Sequence, residues 1–360
     1  MDMVNVEDCC EILDSMRVPI TASERKEGKY PYYGANGIQD YVDDYIFDDE
    51  LVLLAEDGGN FGSRERPIAY RISGKCWVNN HAHVLKPKKG LDVDYLCYSL
   101  MFYKVEGIVN GATRKKLTQA AMRKMQIPFR RMEEQIHIVN NLNYVLKVKE
   151  KRERKLKLLD ELVRGRFVEL FGHPENNEMN WPQYCFGDIC TVRQGLQIPI
   201  SKRLTETEEN CYEYITVAYL HGGKEREYIK DPKDSVICHE DDILMTRTGN
   251  TGMVVTDVEG VFHNNFFLID FDRNRFSKGF LVEYLNLDYI QADILRRAGT
   301  STIPDLNHGD FYKMKIYEPP IALQKEFEAF SRQIDKSKFG HLSMLTTIKS
   351  AYEQQTFIYS

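Results

Sequence analysis

The stretch KMQIPFRRMEEQ, residues 124 to 135, returns 189 positions later as KMKIYEPPIALQ, residues 313 to 324. Lys124, Met125, Ile127 and Gln135 fall on Lys313, Met314, Ile316 and Gln324. The same gap-free slide carries Val93, Tyr95, Leu96, Thr113 and Leu117 onto Val282, Tyr284, Leu285, Thr302 and Leu306. Self-similarity at a fixed period means that one architecture has been built twice. Upstream the echo persists at shifted offsets: Asp8 matches Asp188, the glycine turn Gly59, Asn60, Gly62 matches Gly249, Asn250, Gly252, and Asn79-Asn80 matches Asn264-Asn265. The shifts read as loop insertions. A duplicated frame with divergent loops is suited to gripping two different sites at a fixed separation.

At 360 residues the chain exceeds what one core usually serves, and each half of about 180 can bury its own. With 42% hydrophobic and 28% charged residues it reads as globular throughout. No apolar run nears the roughly 20 residues of a membrane span, and the opening MDMVNVEDCCEIL lacks the pattern of a secretory signal, so a cytoplasmic protein is expected. Eight cysteines include no C-x-x-C pair; reduced, mostly buried thiols are expected, and no metal centre. A net charge of -6 and a pI near 5.9 oppose a stand-alone nucleic-acid binder, because phosphate affinity comes from clustered Lys and Arg. Local distribution reverses part of this. Between Gly107 and Arg131 stand seven basic residues, Arg114, Lys115, Lys116, Arg123, Lys124, Arg130 and Arg131, and no acidic one.

Each half reads as a mixed α+β domain. Apolar runs bounded by Gly, Asn and Asp predict strands and tight turns at YPYYGANG (Tyr30 to Gly37), at Leu51 to Leu54 into Asp57-Gly58-Gly59-Asn60, and at Cys76 to Val78 into Asn79-Asn80-His81. Helical spacing predicts short helices at Val93 to Val105 and Thr118 to Lys124. Residues 181 to 319 repeat the scheme through Tyr214 to Val217, Asp242 to Met245 into Arg247-Thr248-Gly249-Asn250, Phe266 to Ile269, and a helix near Leu281 to Asn286. The expected division is a domain at 1 to 130, a long helix at 131 to 172, a second domain at 179 to 320 and a second long helix at 321 to 360.

From Glu133 to Phe171 there is no Pro and one Gly, and Leu142, Leu156, Val163 and Leu170 sit on a seven-residue grid with Leu159 and Phe167 alongside. At 1.5 Å per residue such a helix spans about 60 Å. Its section Lys147 to Lys157, with seven basic and two acidic residues, predicts a face that is solvated or turned to a charged partner. The second helix offers Phe327, Phe330, Ile334, Leu342, Leu345, Ile348 and Tyr352, weakened at Gly340 by about 1 kcal/mol. The two helices are expected to pack as an antiparallel coiled coil with the domains at opposite ends.

YPYYGANGI (Tyr30 to Ile38), AEDGGNFGS (Ala55 to Ser63), WVNNHAHVL (Trp77 to Leu85), KMQIPFRRMEEQ, MTRTGNTG (Met245 to Gly252) and STIPDLN (Ser301 to Asn307) are arranged before two long helices. In order, doubling and placement they resemble the DNA specificity subunit of type I restriction-modification systems, over the whole chain. The resemblance implies two target recognition domains, each reading one half of a split, asymmetric site in double-stranded DNA. It implies long helices that set the spacing and dock two methyltransferase subunits, with restriction/translocase subunits joining the full complex. It also implies a prokaryotic cytoplasmic protein without a catalytic centre or cofactor of its own. The partner subunits would methylate adenine N6 with S-adenosylmethionine, or cleave DNA with ATP and Mg.

The residues agree independently. Adenine methylation needs Asn or Asp before Pro-Pro and an aromatic, whereas Pro319-Pro320 follows Glu318 and precedes Ile321. Neither Gly58-Gly59 nor Gly249 continues into the Lys-Ser or Lys-Thr of a phosphate-binding loop. Pro304-Asp305 lacks a following acidic-x-Lys element of nucleases.

Base edges are read by Arg or Lys on guanine and Asn or Gln on adenine, more loosely by Ser or Thr, while phosphate contacts hold register. In the first domain the candidates are Asn36, Asn60, Ser63, Arg64, Arg66 and His81, with Arg114, Lys115 and Lys116 on phosphate. In the second they are Arg247, Thr248, Asn250, Thr251, His263, Asn264, Ser301 and Thr302. Turn geometry is the competing role for the Asn positions. Arg247 leads, read as replacing Asp57 at a nearly equivalent turn; Arg247→Ala is expected to weaken one half-site only. The competing function is a non-catalytic tandem-repeat scaffold that binds protein or RNA; a fragment of a fused restriction-methylation enzyme fits less well, because both helices are whole.

Overall fold

In a computed structural model, which describes residues 2–63, 65–111, 115–220, 222, 225–299 and 304–358 without the side chains of 349–358, the run Leu51 to Leu54 lies in the most central strand of its domain. The candidates Arg64, Arg114, Ser301 and Thr302 lie outside the described residues, as does the side chain of Tyr352. The chain divides into two units: residues 1–154 with 341–360, and residues 155–340. Both divisions fall inside long helices.

Unit 1 runs β1 (Asp2–Asn5), α1 (Val6–Cys9), β2 (Cys10–Ile12), β3 (Glu27–Gly34), β4 (Gly37–Val42), β5 (Phe47–Ala55), β6 (Ala69–Val78), β7 (Ala82–Pro87), α2 (Val93–Leu100), α3 (Gln119–Arg123), β8 (Gln126–Phe129) and the first part of α4 (Met132–Phe171). Its six-stranded sheet has the order β2-β7-β5-β6-β3-β4, with β3 and β6 parallel and the other neighbours antiparallel, while β1 pairs β8 separately. Val52 and Leu54 join a core with Leu96 and Leu100 of α2 and with Ile138, Val139 and Leu142 of α4. Leu51 and Leu53 join Phe47, Ile72, Val78 and Val84 in another. Because both faces are covered, β5 is apolar without alternation. Asp92 and Thr118 cap α2 and α3, accepting the N–H of Tyr95 at 2.9 Å and of Ala121 at 3.2 Å. The helix expected to reach Val105 stops at Leu100, where the Met101 carbonyl turns to accept the Ile68 N–H at 2.8 Å.

Unit 2 continues α4 and adds β9 (Gln183–Cys185), β10 (Cys190–Gln194), β11 (Cys211–Ile215), α5 (Val217–Leu220), β12 (Tyr228–Lys230), β13 (Ile237–Cys238), β14 (Ile243–Thr246), β15 (Val254–Val255), β16 (Gly260–Phe262), β17 (Phe266–Phe271), α6 (Lys278–Asn286), α7 (Asp288–Ala298), α8 (His308–Tyr312), β18 (Lys315–Tyr317) and α9 (Ile321–Ile358), whose last part returns to unit 1. Its strands form two four-stranded sheets, β10-β17-β14-β15 and β12-β11-β16-β13, with β18 on β9. The difference from unit 1 has a local cause. The place of the continuous β6 is taken by β15 and β16, interrupted where Asp257 adopts φ +60°; β6 itself passes through a positive φ only at a glycine, Gly74 at +75°.

Phe167 and Phe171 of α4, Phe280 of α6 and Phe327 of α9 meet with ring centroids between 4.8 and 5.7 Å apart. Within unit 2 the two long helices run antiparallel: Asp160 pairs with Lys338 at 2.8 Å and Arg166 with Glu326 at 2.9 Å. Within unit 1 Arg152 donates to His341 at 2.5 Å. Leu342, expected on the packed stripe, is instead 52% exposed, and Phe339 is 75% exposed. The α9 seam near Gly340 is carried by His341 and Leu345, which leaves the neighbouring apolar positions outside. Among the described residues no helix is long and apolar enough to cross a membrane.

The repeat motif has a shared keystone. Gln135 accepts the Asp92 N–H at 2.8 Å and donates to the carbonyls of Gly90 and Arg130, both at 2.8 Å. Gln324 accepts the Ser277 N–H at 2.9 Å and donates to Arg275 at 3.0 Å and Pro319 at 2.8 Å. Both are fully buried. Each amide joins the start of its long helix to the start of α2 or α6.

Candidate nucleic-acid interface

β5 delivers the segment Glu56 to Pro67, whose turns gather the described first-domain candidates at one end of the sheet. Asn36, in the β3–β4 turn, donates to the Gly58 carbonyl at 2.9 Å, and Asn60 donates to the Pro67 carbonyl at 3.4 Å. Ser63 Oγ accepts the Arg66 N–H at 2.9 Å. These three side chains shape turns. Arg66 and Lys115 are exposed and carry no ion pair among the described residues. Tyr33, Asn36, Asn60, Arg66 and Tyr70 line a cavity of about 530 Å³. His81 is held by Asp57, with Nδ1 2.5 Å from Oδ1.

Beneath them lies a buried polar cluster that the sequence did not disclose. His83 Nδ1 meets Asp14 Oδ2 at 2.7 Å and its Nε2 meets the Leu117 carbonyl at 2.9 Å. Glu56 pairs with Arg17 at 2.7 Å and with Lys116 Nζ at 3.1 Å. Burial pushes the Asp14 carboxyl up, but hydrogen bonds and charge from His83 outweigh it and hold the group below its ordinary value. Asp14, Glu56 and His83 stand close enough to hold a cation, and the Arg17 guanidinium is already there. The cluster serves to fasten Lys116-Leu117 to the sheet. Its members come from segments about 100 residues apart in sequence, so no local pattern marked them.

In unit 2, Arg247 donates through Nε and Nη2 to both Asp305 oxygens, at 3.0 and 2.9 Å, and through Nη1 to Gln194 at 2.9 Å. Gln194 in turn donates to the Asn264 carbonyl at 2.6 Å. Buried Thr251 places its hydroxyl 2.8 Å from the Pro304 carbonyl and 3.1 Å from that of Arg247. Exposed Asn250 donates to Met253 Sδ at 3.4 Å, and Thr248 forms an isolated bridge to Asp305. His263 Nδ1 accepts the Asn265 N–H at 3.1 Å. Burial, then the charge of Arg203, hold this imidazole below its ordinary value. Asn264 Oδ1 is buried without a hydrogen-bond partner among the described residues.

Strand register corrects two of the expected equivalences. Ala55 faces Ala82 as Thr246 faces Phe266, so the residue after each strand matches: Glu56 with Arg247, and Asp57 with Thr248. The Leu117 N–H donates to the Glu56 carbonyl at 2.7 Å, as the Leu306 N–H does to that of Arg247 at 2.9 Å. Arg247 therefore replaces Glu56, not Asp57. Likewise the Asn79 N–H donates to Tyr33 and the His263 N–H to Ile215, both at 3.0 Å, which makes Asn79 the counterpart of His263. Both side chains accept the N–H two residues on, at His81 and Asn265. A loop length change at each turn caused the one-residue error.

The description of the type I restriction modification DNA specificity domain fits residues 1–159 and 178–340. The chain belongs to that family. In this type I specificity chain, residues 160–177 between the two matches hold the end of α4 and the turn after it. A putative type I restriction enzyme specificity subunit of Haemophilus influenzae is 37% identical over 138 residues, 38% of this chain and 35% of its own length. The EcoprrI specificity subunit of Escherichia coli is 26% identical over 117 residues, 32% of this chain and 28% of its own. The chain thus spans about a third of the length of these curated relatives. In fold it is similar to the S subunit of a type I restriction-modification system from M. genitalium, with a TM-score of 0.64 at 16% identity over 99% of this chain and 95% of that one. A chain from a structure concerned with assembly and conformational transition of the type I system gives 0.56 at 14% identity, over 99% and 96%.

Proposed function

We propose that this specificity chain reads a split, asymmetric sequence in double-stranded DNA, one half through each domain, while α4 and α9 set the separation and dock two methyltransferase subunits. Restriction/translocase subunits complete the assembly. The chain itself is non-catalytic in this reading; S-adenosylmethionine, ATP and Mg belong to its partners. The observation that supports it best is one frame carried twice with different side chains at equivalent loop positions: Asp57 against Thr248 and Asn79 against His263. Different donors and acceptors on the same scaffold suit different base edges. Docking is supported by apolar side chains left outside on the helices, Tyr144 at 70% exposure and Phe339 at 75%.

Modified-base sequencing of DNA from a host expressing the chain with its methyltransferase tests the reading. Methylated adenine at one split, asymmetric sequence, absent without the chain, supports it. Co-purification without any such pattern overturns half-site recognition; absence of both leaves a protein- or RNA-binding scaffold.

A further inference from the structure

We infer that Arg247 and Asp305 form a clamp that positions the second domain's DNA-facing loops, which makes Arg247 a positioning residue and not the reader of a base. The inference rests on the DNA-recognition reading above. In each domain the segment leaving the central strand is joined to the segment entering α3 or α8 by one backbone hydrogen bond, Leu117 to Glu56 or Leu306 to Arg247. Beside that bond an ion pair forms between the same two positions. In the first domain Glu56 on the strand side faces Lys116 on the helix side at 3.1 Å. In the second the polarity is inverted: Arg247 on the strand side faces Asp305 on the helix side at 2.9 Å.

Inversion separates two roles that a single domain confounds. A side chain kept only for a base contact changes with the base it reads, since guanine takes a cation and cytosine a carboxylate, and nothing obliges the residue opposite it to change as well. A side chain kept for a joint needs only its opposite partner. The pair is kept in both domains while its polarity is reversed, both partners having changed together, so the fastening is what the frame retains. Three of the five guanidinium donors are engaged inside the domain, two on Asp305 and one on Gln194. Through these bonds Arg247 ties the end of β14 to the end of β10 and to the segment before α8. Thr251 closes the same junction, with its hydroxyl between the carbonyls of Arg247 and Pro304.

The test uses the full chain with its methyltransferase and three variants: R247E, D305K and R247E/D305K, the last installing the first domain's own pair. Two readouts are taken, hydrogen exchange at the Leu306 amide and adenine methylation at the recognised sequence. Each single variant is expected to speed Leu306 exchange and to lower methylation by about tenfold or more, with the double variant returning both to within about threefold on an unchanged sequence. Unchanged Leu306 exchange in R247E overturns the clamp. Restored Leu306 protection without restored methylation, or restored methylation at an altered second half-site, makes Arg247 a base reader and overturns the assignment. If the unaltered complex methylates no defined sequence, the recognition reading fails, and Leu306 exchange still decides the clamp.

Discussion

Arg66 and Arg247 carry the same side chain in opposite circumstances. Arg66 is exposed without an ion pair among the described residues, so it can turn to a base or phosphate without breaking a bond already made. Arg66→Ala is expected to weaken binding of DNA altered only in its second half as much as binding of the intact site, by about 1–3 kcal/mol, since the lost contact lies in the first half. Fluorescence anisotropy of the full complex on duplexes changed one half at a time measures this, and undiminished affinity would remove Arg66 from the interface. His263 gives a different expectation, in pH. Burial followed by Arg203 holds its imidazole below 6.5, and burial followed by the charge of Arg247 does so for His308. The folded state binds these protons less readily than the unfolded chain, so stability is full above pH about 6.5 and declines as pH falls toward the depressed folded values. Thermal midpoints recorded downward from neutral pH should show that decline, and His263→Asn, which restores the acceptor found at Asn79, should flatten it; an identical decline would place its origin elsewhere. Residue types alone name Arg247, Asn250 and His263 as candidates. What each touches was not legible, because Asp305 and Gln194 are more than 50 residues from Arg247 and a one-residue slip passes unnoticed until strands are paired.

At the scale of elements, α4 and α9 were readable almost to their ends, since long stretches without Pro admit little else. Which side of α9 packs was less readable: the apolar stripe names Leu342 with Leu345, while in the structure Leu345 and His341 are half-buried and Leu342 is exposed. The break between β15 and β16 was hidden as well, because the left-handed Asp257 is imposed by surroundings and not by the strand pattern. Gln324 offers the sharper test of the helix junction. Replacing it by Leu leaves the Ser277 N–H and two carbonyls buried and unpaired, at about 1–3 kcal/mol for each group so stranded. A drop of several degrees in the melting temperature of the full chain is the expected result, and a neutral substitution would show that water reaches the junction. The exposed apolar positions behave differently. Tyr144→Ser and Phe339→Ser should leave melting unchanged and weaken methyltransferase capture in a pull-down; capture at full strength would put the docking face elsewhere.

For the whole molecule, duplication predicts stoichiometry. Equivalent surfaces bind equivalent partners, so native mass spectrometry at saturation should find two methyltransferase subunits on one chain, and a plateau at one would contradict the proposed docking. Division of the chain into residues 1–154 with 341–360, and 155–340, has a further consequence for how the protein comes into being. Unit 2 is continuous, whereas unit 1 is closed by a segment made after unit 2. On the ribosome, where domains settle as they emerge, the first half leaves the tunnel early yet waits for the entire second half before its final helix arrives. Unit 1 is begun before unit 2 and closed after it, and throughout that interval the early portion of α4 stands without its partner, exposed to whatever else in the cell binds an unpaired amphipathic helix.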